Sequence, residues 1–489
     1  MYSSKHWCYV LILVVFFAED RLRSEDEVAF SPAQEAAIQA VEENRSTILE
    51  ANRKIWELAE VGLEEHKSAK LLMDELKAAG FGVEAGLADM PTAFVAEFGS
   101  GKPIIGILAE YDALPGMSQK VSPVREPSKA GAAGHACGHS GLGSGALGAA
   151  LAVKEAMVKH KLPGTIRLYG TPAEETVIGK VYMTLAGVFD DLDVCLHWHP
   201  STKNQPWAGS SKAVISAKFT FKGTPAHAAG SPESGRSALD AVELMNVGVN
   251  YMREHVKEDA RFHYVVTNGG GAPNVVPPEA TVWYFVRADT HEDVERYFDW
   301  IQDIAKGATL MTRTKMSLQI DTDAHEIIPN NILSELFYQN LKAVGPPKFS
   351  EEDRAFARRM QDPLIEQFGT KFPVAIEESV LSLAESSKPS KGSTDVGDIS
   401  WHVATGGMRT ACFMAESPGH SWQNVACIAS PIGEKGIVYA SKVLAVTAIK
   451  LLESPETIAA AKGEFQKRMK DRKYTTKIPK GQKPPKQIR

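Results

Sequence analysis

Apolar residues along this chain change their spacing several times, and each change marks a different element. From residue 32 to residue 80 they recur at helical intervals, through Ala36-Ala37-Ile38, Val41, Ile48, Ile55-Trp56 and Leu71-Leu72. Gly80 and Gly82 end that helical segment. Short apolar runs follow. Ile104 to Leu108, Thr165 to Tyr169 and Val194 to Leu196 read as buried strands. Gly141 to Val158, rich in Ala, Gly and Leu, reads as a tightly packed helix between them. Strands alternating with helices predict an α/β sheet covered on both faces.

The rhythm changes near Lys212. A strand from Val214 to Phe221 is followed by a helix from Ala238 to Val256. Two strands come next, Phe262 to Thr267 and Ala280 to Arg287, across a Gly/Pro-rich turn. A helix from about Glu292 to Lys306, with Thr290 as its N-cap, and a strand from Lys315 to Ile320 complete the set. The order βαββαβ is that of a ferredoxin-like domain. It reads as an insertion, because α/β signals resume with a helix at Asn330–Val344, a strand at Thr410–Phe413 and a helix at Lys435–Leu452. The expected organisation is a catalytic domain in two parts, 25–211 and 322–460, around an inserted domain at 212–321.

Charge changes the picture at both ends. The net charge of −6 argues against a nucleic-acid partner. It hides a basic stretch from Lys462 to Arg489, which carries +9 and leaves −15 for the rest. Residues 461–489 are expected to be a solvated, disordered tail. At the other end, Lys5 precedes the apolar run Trp7 to Ala18. Twelve residues suit a signal-peptide core better than a membrane span. Residues 1–24 therefore predict export, with cleavage near Ala18 or Ser24 and no stable membrane insertion afterwards; without a working signal the expected location is cytoplasmic. Five cysteines show no disulfide spacing.

Five stretches carry metal-binding or proton-handling side chains. They are Gly134-His135-Ala136-Cys137-Gly138-His139, Pro172-Ala173-Glu174-Glu175, His197-Trp198-His199-Pro200, Gly223-Thr224-Pro225-Ala226-His227 and Gly419-His420-Ser421. Thiolate, imidazole and carboxylate together are the donors of a transition-metal hydrolase site. Taken alone, Cys137 and His139 read first as a structural thiol and a surface histidine. Glu174 and Glu175 follow a buried strand, where α/β sheets place their sites. Adjacent acids there face different ways, so one can hold a metal while the other takes a proton. His199 and His420 also follow apolar strands, and His197 is the alternative to His199 or a supporting residue. Asp112, in Glu110-Tyr111-Asp112-Ala113-Leu114-Pro115, can orient a ligating imidazole. In the inserted domain, His227 and Asn274 can stabilise an oxyanion if that domain closes over a site, and Arg236 and Arg287 can hold a substrate carboxylate. A thiol enzyme using Cys137 and a metal-bound protein without turnover are the rival readings. The zinc-deaminase motif is absent.

These motifs together resemble the aminoacylase/carboxypeptidase-type metallohydrolases, peptidase family M20. The resemblance runs from about residue 35 to 455. It is carried also by Glu110-Tyr111-Asp112-Ala113-Leu114, by Arg236 to Asn246 and by Gly392-Ser393-Thr394-Asp395-Val396-Gly397-Asp398. It points to the branch that acts on aminobenzoyl-glutamate. It implies that Cys137, His139, Glu175, His199 and His420 hold one or two divalent ions, zinc or manganese, and that Glu174 is the general base. It implies a lid in which His227 reaches a neighbouring protomer, and hence a homodimer or a heteromer with an A-type partner. The implied substrate is a small N-acyl amino acid, cleaved at its amide. Ser140 stands where many relatives have Asp after the Cys-Gly-His, Glu110 where many have Asp, and His197 is additional.

Overall fold

A computed structural model describes residues 29–486. The expected signal segment lies outside the described residues. The strands are β1 (Gly82–Ala85), β2 (Phe94–Ser100), β3 (Ile104–Ala109), β4 (Gly164–Gly170), β5 (Val194–Ser201), β6 (Gln205–Pro206), β7 (Ala213–Lys222), β8 (Arg261–Asn268), β9 (Glu279–Ala288), β10 (Lys315–Ala324) and β11 (Thr405–Ala411). Seven of them form the large sheet, in the order β1-β2-β4-β3-β5-β11-β6. Its central strands β4, β3, β5 and β11 run parallel, while β1, β2 and β6 are antiparallel to their neighbours.

Strand alternation explains why both faces of this sheet are covered. Ile107, Leu168 and Leu196 face one apolar cluster, under the helices Pro32–Glu43, His139–His160 and Pro431–Glu453. Their neighbours Leu108, Tyr169 and Cys195 face a second cluster. That second cluster continues into the inserted domain, through Phe219, Val282 and Phe298. The inserted domain is a four-stranded antiparallel sheet, β10-β7-β9-β8, backed by the helices Ala238–Met252 and His291–Thr312. The chain order is βαββαβ, and Thr290 caps the second helix by accepting from the amide of Asp293. The fold is thus the expected α/β/α catalytic domain with a ferredoxin-like insertion.

Three details differ from the sequence reading. The segment from 32 to 80 is three helices, Pro32–Glu43, Arg45–Leu58 and His66–Ala78. Asn44 separates the first two, and Ala59, at φ 43°, turns the chain out of the second. The last parallel strand is Thr405–Ala411, upstream of the apolar run Thr410–Phe413. Gly406 and Gly407 disguised it, yet the packing demands them. A Cβ on Gly406 would lie 2.5 Å from Leu333, and one on Gly407 would lie 2.2 Å from the His197 ring.

The basic tail is the third correction, because residues 461–486 are structured. The helix Pro455–Met469 buries Ile458 and Ala461. Residues 470–486 then run across the junction of the two domains. Tyr474 donates to Asp398 at 2.8 Å, Ile478 is buried, and Gln482 donates to the carbonyl of Ile320 at 2.7 Å. Its charges are paired across the fold, Arg472 with Glu326 and Lys477 with Asp299. A count of charges could not show that the opposite charges wait on other elements. Among the described residues, no helix is long and apolar enough to cross a membrane.

Candidate metal centre

Chemistry-bearing residues gather at the carboxyl ends of β4 and β5, where parallel sheets open a crevice. The Cys137-Gly138-His139 turn enters the helix His139–His160 directly, so His139 is its first residue. Gly138 has φ +87°, and a Cβ there would press Phe413 at 2.9 Å and Pro200 at 3.0 Å. Only glycine lets this turn sit on β5. Trp198 pins the two elements together, donating its indole N–H to the carbonyl of Leu142 at 3.0 Å. On the opposite side of β5, His199 brings Nε2 to 3.4 Å from Cys137 Sγ.

Glu174 and Glu175 sit in a tight turn after β4, flanked by Ala173 and Val177 at φ 56° and 59°. Two buried carboxylates hold this strained turn. Glu65 accepts from the amide of Ala173 at 2.8 Å, and Asp112 accepts from the amide of Glu175 at 2.9 Å. The other oxygen of Asp112 accepts from His139 Nδ1 at 2.8 Å. One aspartate therefore orients the imidazole and the acid pair together. His139 Nε2 is left facing Glu110 at 3.3 Å and Glu174 at 3.7 Å. Glu175 turns the other way, toward His420 Nε2 at 3.5 Å. His420 has φ 53° and is half exposed on its loop.

Ligand atoms of Cys137, His139 and His199 lie within 4.8 Å of one another, as do those of Cys137, Glu175 and His420. Glu110, His139 and Glu174 make a third such group. Glu110 Oε2, His139 Nε2 and Glu175 Oε1 are buried without a hydrogen-bond partner. Buried polar atoms left unpaired are costly, and atoms that converge this way want a cation between them. Thiolate, imidazole and carboxylate fit a borderline divalent metal. Electrostatics agree. Burial, with the charges of Asp112 and Glu110, raises Glu175 to about 8 against the pull of His139. Burial, with Glu110, pushes Glu174 well above the usual carboxylate range. Burial pushes the Cys137 thiol up to about 12. A bound cation reverses each of these directions.

A cavity of about 390 Å³ opens over the cluster. Cys137, Glu174, Glu175, His199 and His420 line it, with Arg287 reaching in from the inserted domain. Three other expected site residues do not line it. His227, Asn274 and Arg236 are exposed on the inserted domain of this chain. His227 Nδ1 accepts from the amides of Ala229 and Gly230, and Arg236 donates to the carbonyls of Glu233 and Gly235. In this single chain the three residues therefore stand apart from the cavity. Of the two histidines on β5, His199 faces the cavity. His197 instead packs its ring at a tilt against Trp207, ring centres 4.9 Å apart, in space left by Gly407.

Comparison with known proteins agrees with this geometry. Residues 106–317 match the model of peptidase family M20/M25/M40. The B-type component of the p-aminobenzoyl-glutamate hydrolase of Escherichia coli (strain K12) is 38% identical, over 91% of this chain and 97% of its own length. The chain belongs to this peptidase family. It is a metal-dependent hydrolase. The Xaa-Arg dipeptidase of Mus musculus is 26% identical over 89% of the chain and 92% of its own length. Among solved structures, an aminobenzoyl-glutamate utilization protein from Klebsiella pneumoniae shares the fold. Its TM-score is 0.55, at 18% identity over 83% of this chain and 97% of that one.

Several residues of this family site escaped the sequence reading. Lys180 is fully buried and places Nζ 2.7 Å from both Glu110 and Asp395. Burial works against its charge, but Asp395, Glu110 and Glu174 hold the ammonium above its ordinary range. A lysine in the apolar run Ile178-Gly179-Lys180-Val181-Tyr182-Met183, just past the acid pair, was the available signal. Asn424 ties the His420 loop to the Cys137 turn by donating to the carbonyls of Ala136 and Pro418. Glu65 and Asn424 gave no local sign, since their partners are distant in the chain.

Proposed function

We propose that this hydrolase cleaves the amide bond of a small N-acyl amino acid, with p-aminobenzoyl-glutamate as the lead substrate. One observation carries the reading. The adjacent acids Glu174 and Glu175 diverge, Glu175 into the ligand cluster and Glu174 beside it, both lining one cavity. Cys137, His139, Glu175, His199 and His420 would hold one or two divalent ions, zinc or manganese. The metal supplies Lewis acidity toward the scissile carbonyl and the attacking water. Glu174 takes the proton from the water and returns it to the leaving amine. Asp112 keeps His139 in the tautomer that presents Nε2 to the cluster. Arg287, with its buried Nε unpaired, receives the amino-acid carboxylate.

His227 and Asn274 belong in this reading to the site of a second protomer, a copy of this chain or an A-type partner. Their exposure supports it, as does the inserted domain's surface. Leu244, Val247 and Tyr251 stand exposed at helical spacing, and Val265 and Val266 stand exposed on the edge strand β8. A dipeptidase reading, prompted by the Xaa-Arg relative, is less well served. An arginine side chain would enter a cavity already lined by Arg287 and Arg409.

The test is amide hydrolysis by the full chain with zinc, manganese or chelator. The panel is p-aminobenzoyl-glutamate and other N-acyl amino acids. Release of free amino acid that stops on chelation supports the reading. No release from any member by metal-loaded protein, alone or with an A-type partner, sinks it.

A further inference from the structure

Arg409 has no role in the chemistry above, yet it lines the same cavity. It lies on β11, where its backbone pairs in register with His199 on one side and Gln205 on the other. Its guanidinium carbon stands 4.1 Å from the centre of the Trp207 ring. His197 packs against that same indole. The amide of Trp207 donates to the carbonyl of Gly407 at 2.8 Å, which ties the indole to β11. Stacking of this kind holds a guanidinium by its face and leaves its N–H edge open. No carboxylate among the described residues forms an ion pair with Arg409. A half-buried cation without a counter-ion, held rigid in a cavity wall, suits an anion from outside the chain.

The two cavity arginines sit differently about the ligand cluster. Arg287 comes from β9 of the inserted domain and lines the cavity beside Glu174 and His420. Arg409 comes from the large sheet, in register with His199 and over the Trp207 indole. The two guanidiniums enter one cavity from different domains, so each can take a carboxylate of its own. The cavity offers a further unmet polar group in the Ser393 hydroxyl, buried without a partner.

We infer that Arg409 is a specificity-determining residue that binds a second anionic group, so that the preferred substrates carry two negative charges. The inference rests on the amidohydrolase reading and deepens it. The second charge belongs either to an acidic amino-acid side chain or to an anionic acyl group, and both present a carboxylate to the same guanidinium.

The experiment compares dianions with neutral partners of similar shape. N-benzoylglutamate is set against N-benzoylglutamine, and N-succinylalanine against N-butyrylalanine. The enzymes are wild type, Arg409→Met and Arg409→Lys, each checked for metal content and thermal melting. Wild type is expected to favour one dianion by roughly ten- to a hundredfold in kcat/KM, the size of a hydrogen bond to a charged group. Arg409→Met is expected to erase that preference through KM, with kcat and the monoanion little changed. Arg409→Lys, which keeps the charge and folds with the smaller disturbance, is expected to fall between. The favoured pair tells which part of the substrate bears the charge. Equal losses on both members of a pair, or no dianion preference in wild type, overturn the inference.

Calorimetric binding to the Glu174→Gln variant separates the two readings. Dianion-selective binding that vanishes with Arg409→Met, without hydrolysis in wild type, keeps the inference and removes the amidohydrolase reading. Hydrolysis without charge selectivity does the reverse. Neither binding nor hydrolysis of any member removes both.

Discussion

Two buried clusters of histidines and carboxylates lie in this molecule, built from the same residue types to different ends. At the cavity, His139, His199, Glu110, Glu174 and Glu175 converge, and three of their polar atoms are left without partners. At the junction of the two domains, His291 pairs with Asp323 at 2.7 Å and His325 with Asp398 at 3.0 Å. The two imidazoles stack 3.7 Å apart, and Tyr474 lies on the other face of His325. The carboxylates there are saturated. Asp323 also accepts from Thr476 and from the amide of Lys477, and Asp398 from Tyr474. Its one orphan, His325 Nε2, is enclosed by aromatic rings rather than opposed by further ligand atoms. Histidine and carboxylate content therefore does not make a metal site. Convergence of unpaired ligand atoms on a cavity does.

A chelator separates the two clusters most directly. Treatment with chelator should abolish hydrolysis and lower the melting temperature of wild type, whereas a Tyr474→Phe variant should show the same metal content and the same chelator sensitivity. Metal lost from the junction variant instead would mean that the second cluster also binds. Next in size is Glu174, proposed above as the general base. Glu174→Ala should lower kcat by a hundredfold or more while retaining metal, the usual cost of removing acid–base help. Unchanged turnover would remove Glu174 from its role.

Lys180 sharpens the contrast, because it is the internal cation of the open cluster. Lys180→Met leaves Glu110 and Asp395 buried without their counter-charge. Breaking a buried pair in this way costs about 3–5 kcal/mol. Denaturant unfolding should show that loss, and adding Asp395→Asn should recover part of it. At the closed cluster the stakes are lower. Tyr474→Phe removes one buried hydrogen bond to Asp398 and should cost about 1–3 kcal/mol, read by the same unfolding measurement, with kcat retained.

The smallest effect is a slope. Burial, with the charges of His199 and Lys180, lowers His197 to about 3. Between that value and the ordinary imidazole range near 6.5, the unfolded chain binds a proton that the folded chain refuses. Stability contributed by a neutral His197 is therefore present above about 6.5 and falls as pH drops toward 3. His197→Gln should flatten the fall by up to about 1.4 kcal/mol per pH unit, seen by comparing unfolding curves at pH 7, 6 and 5. An unchanged slope would mean that His197 is protonated where it lies.

Much of this molecule was legible before folding. Helices such as Asn331–Val344 and the strand pattern of the inserted domain follow from local spacing, since a buried face imposes its period on the residues that make it. Ligand types and their order along the chain were equally visible, because thiol, imidazole and carboxylate keep their chemistry anywhere. Two things were not local. The strand Thr405–Ala411 was hidden because Gly406 and Gly407 answer to Leu333 and His197 rather than to their own neighbours. The tail was misjudged because its charges find partners such as Glu326 and Asp299 on other elements.

Fold class, candidate donors and the acid pair could be read along the chain, because they are properties of residue type and short-range period. Which groups meet was settled by folding. It chose His199 over His197 for the cavity, gave Asp112 both His139 and the Glu175 turn, and set Lys180 between two acids. It left His227, Asn274 and Arg236 on the surface of a single chain, and Arg409 open on its indole. Each of these outcomes depends on atoms brought within a few ångströms from distant parts of the chain. Burial and unpaired charge exist only once those atoms have met.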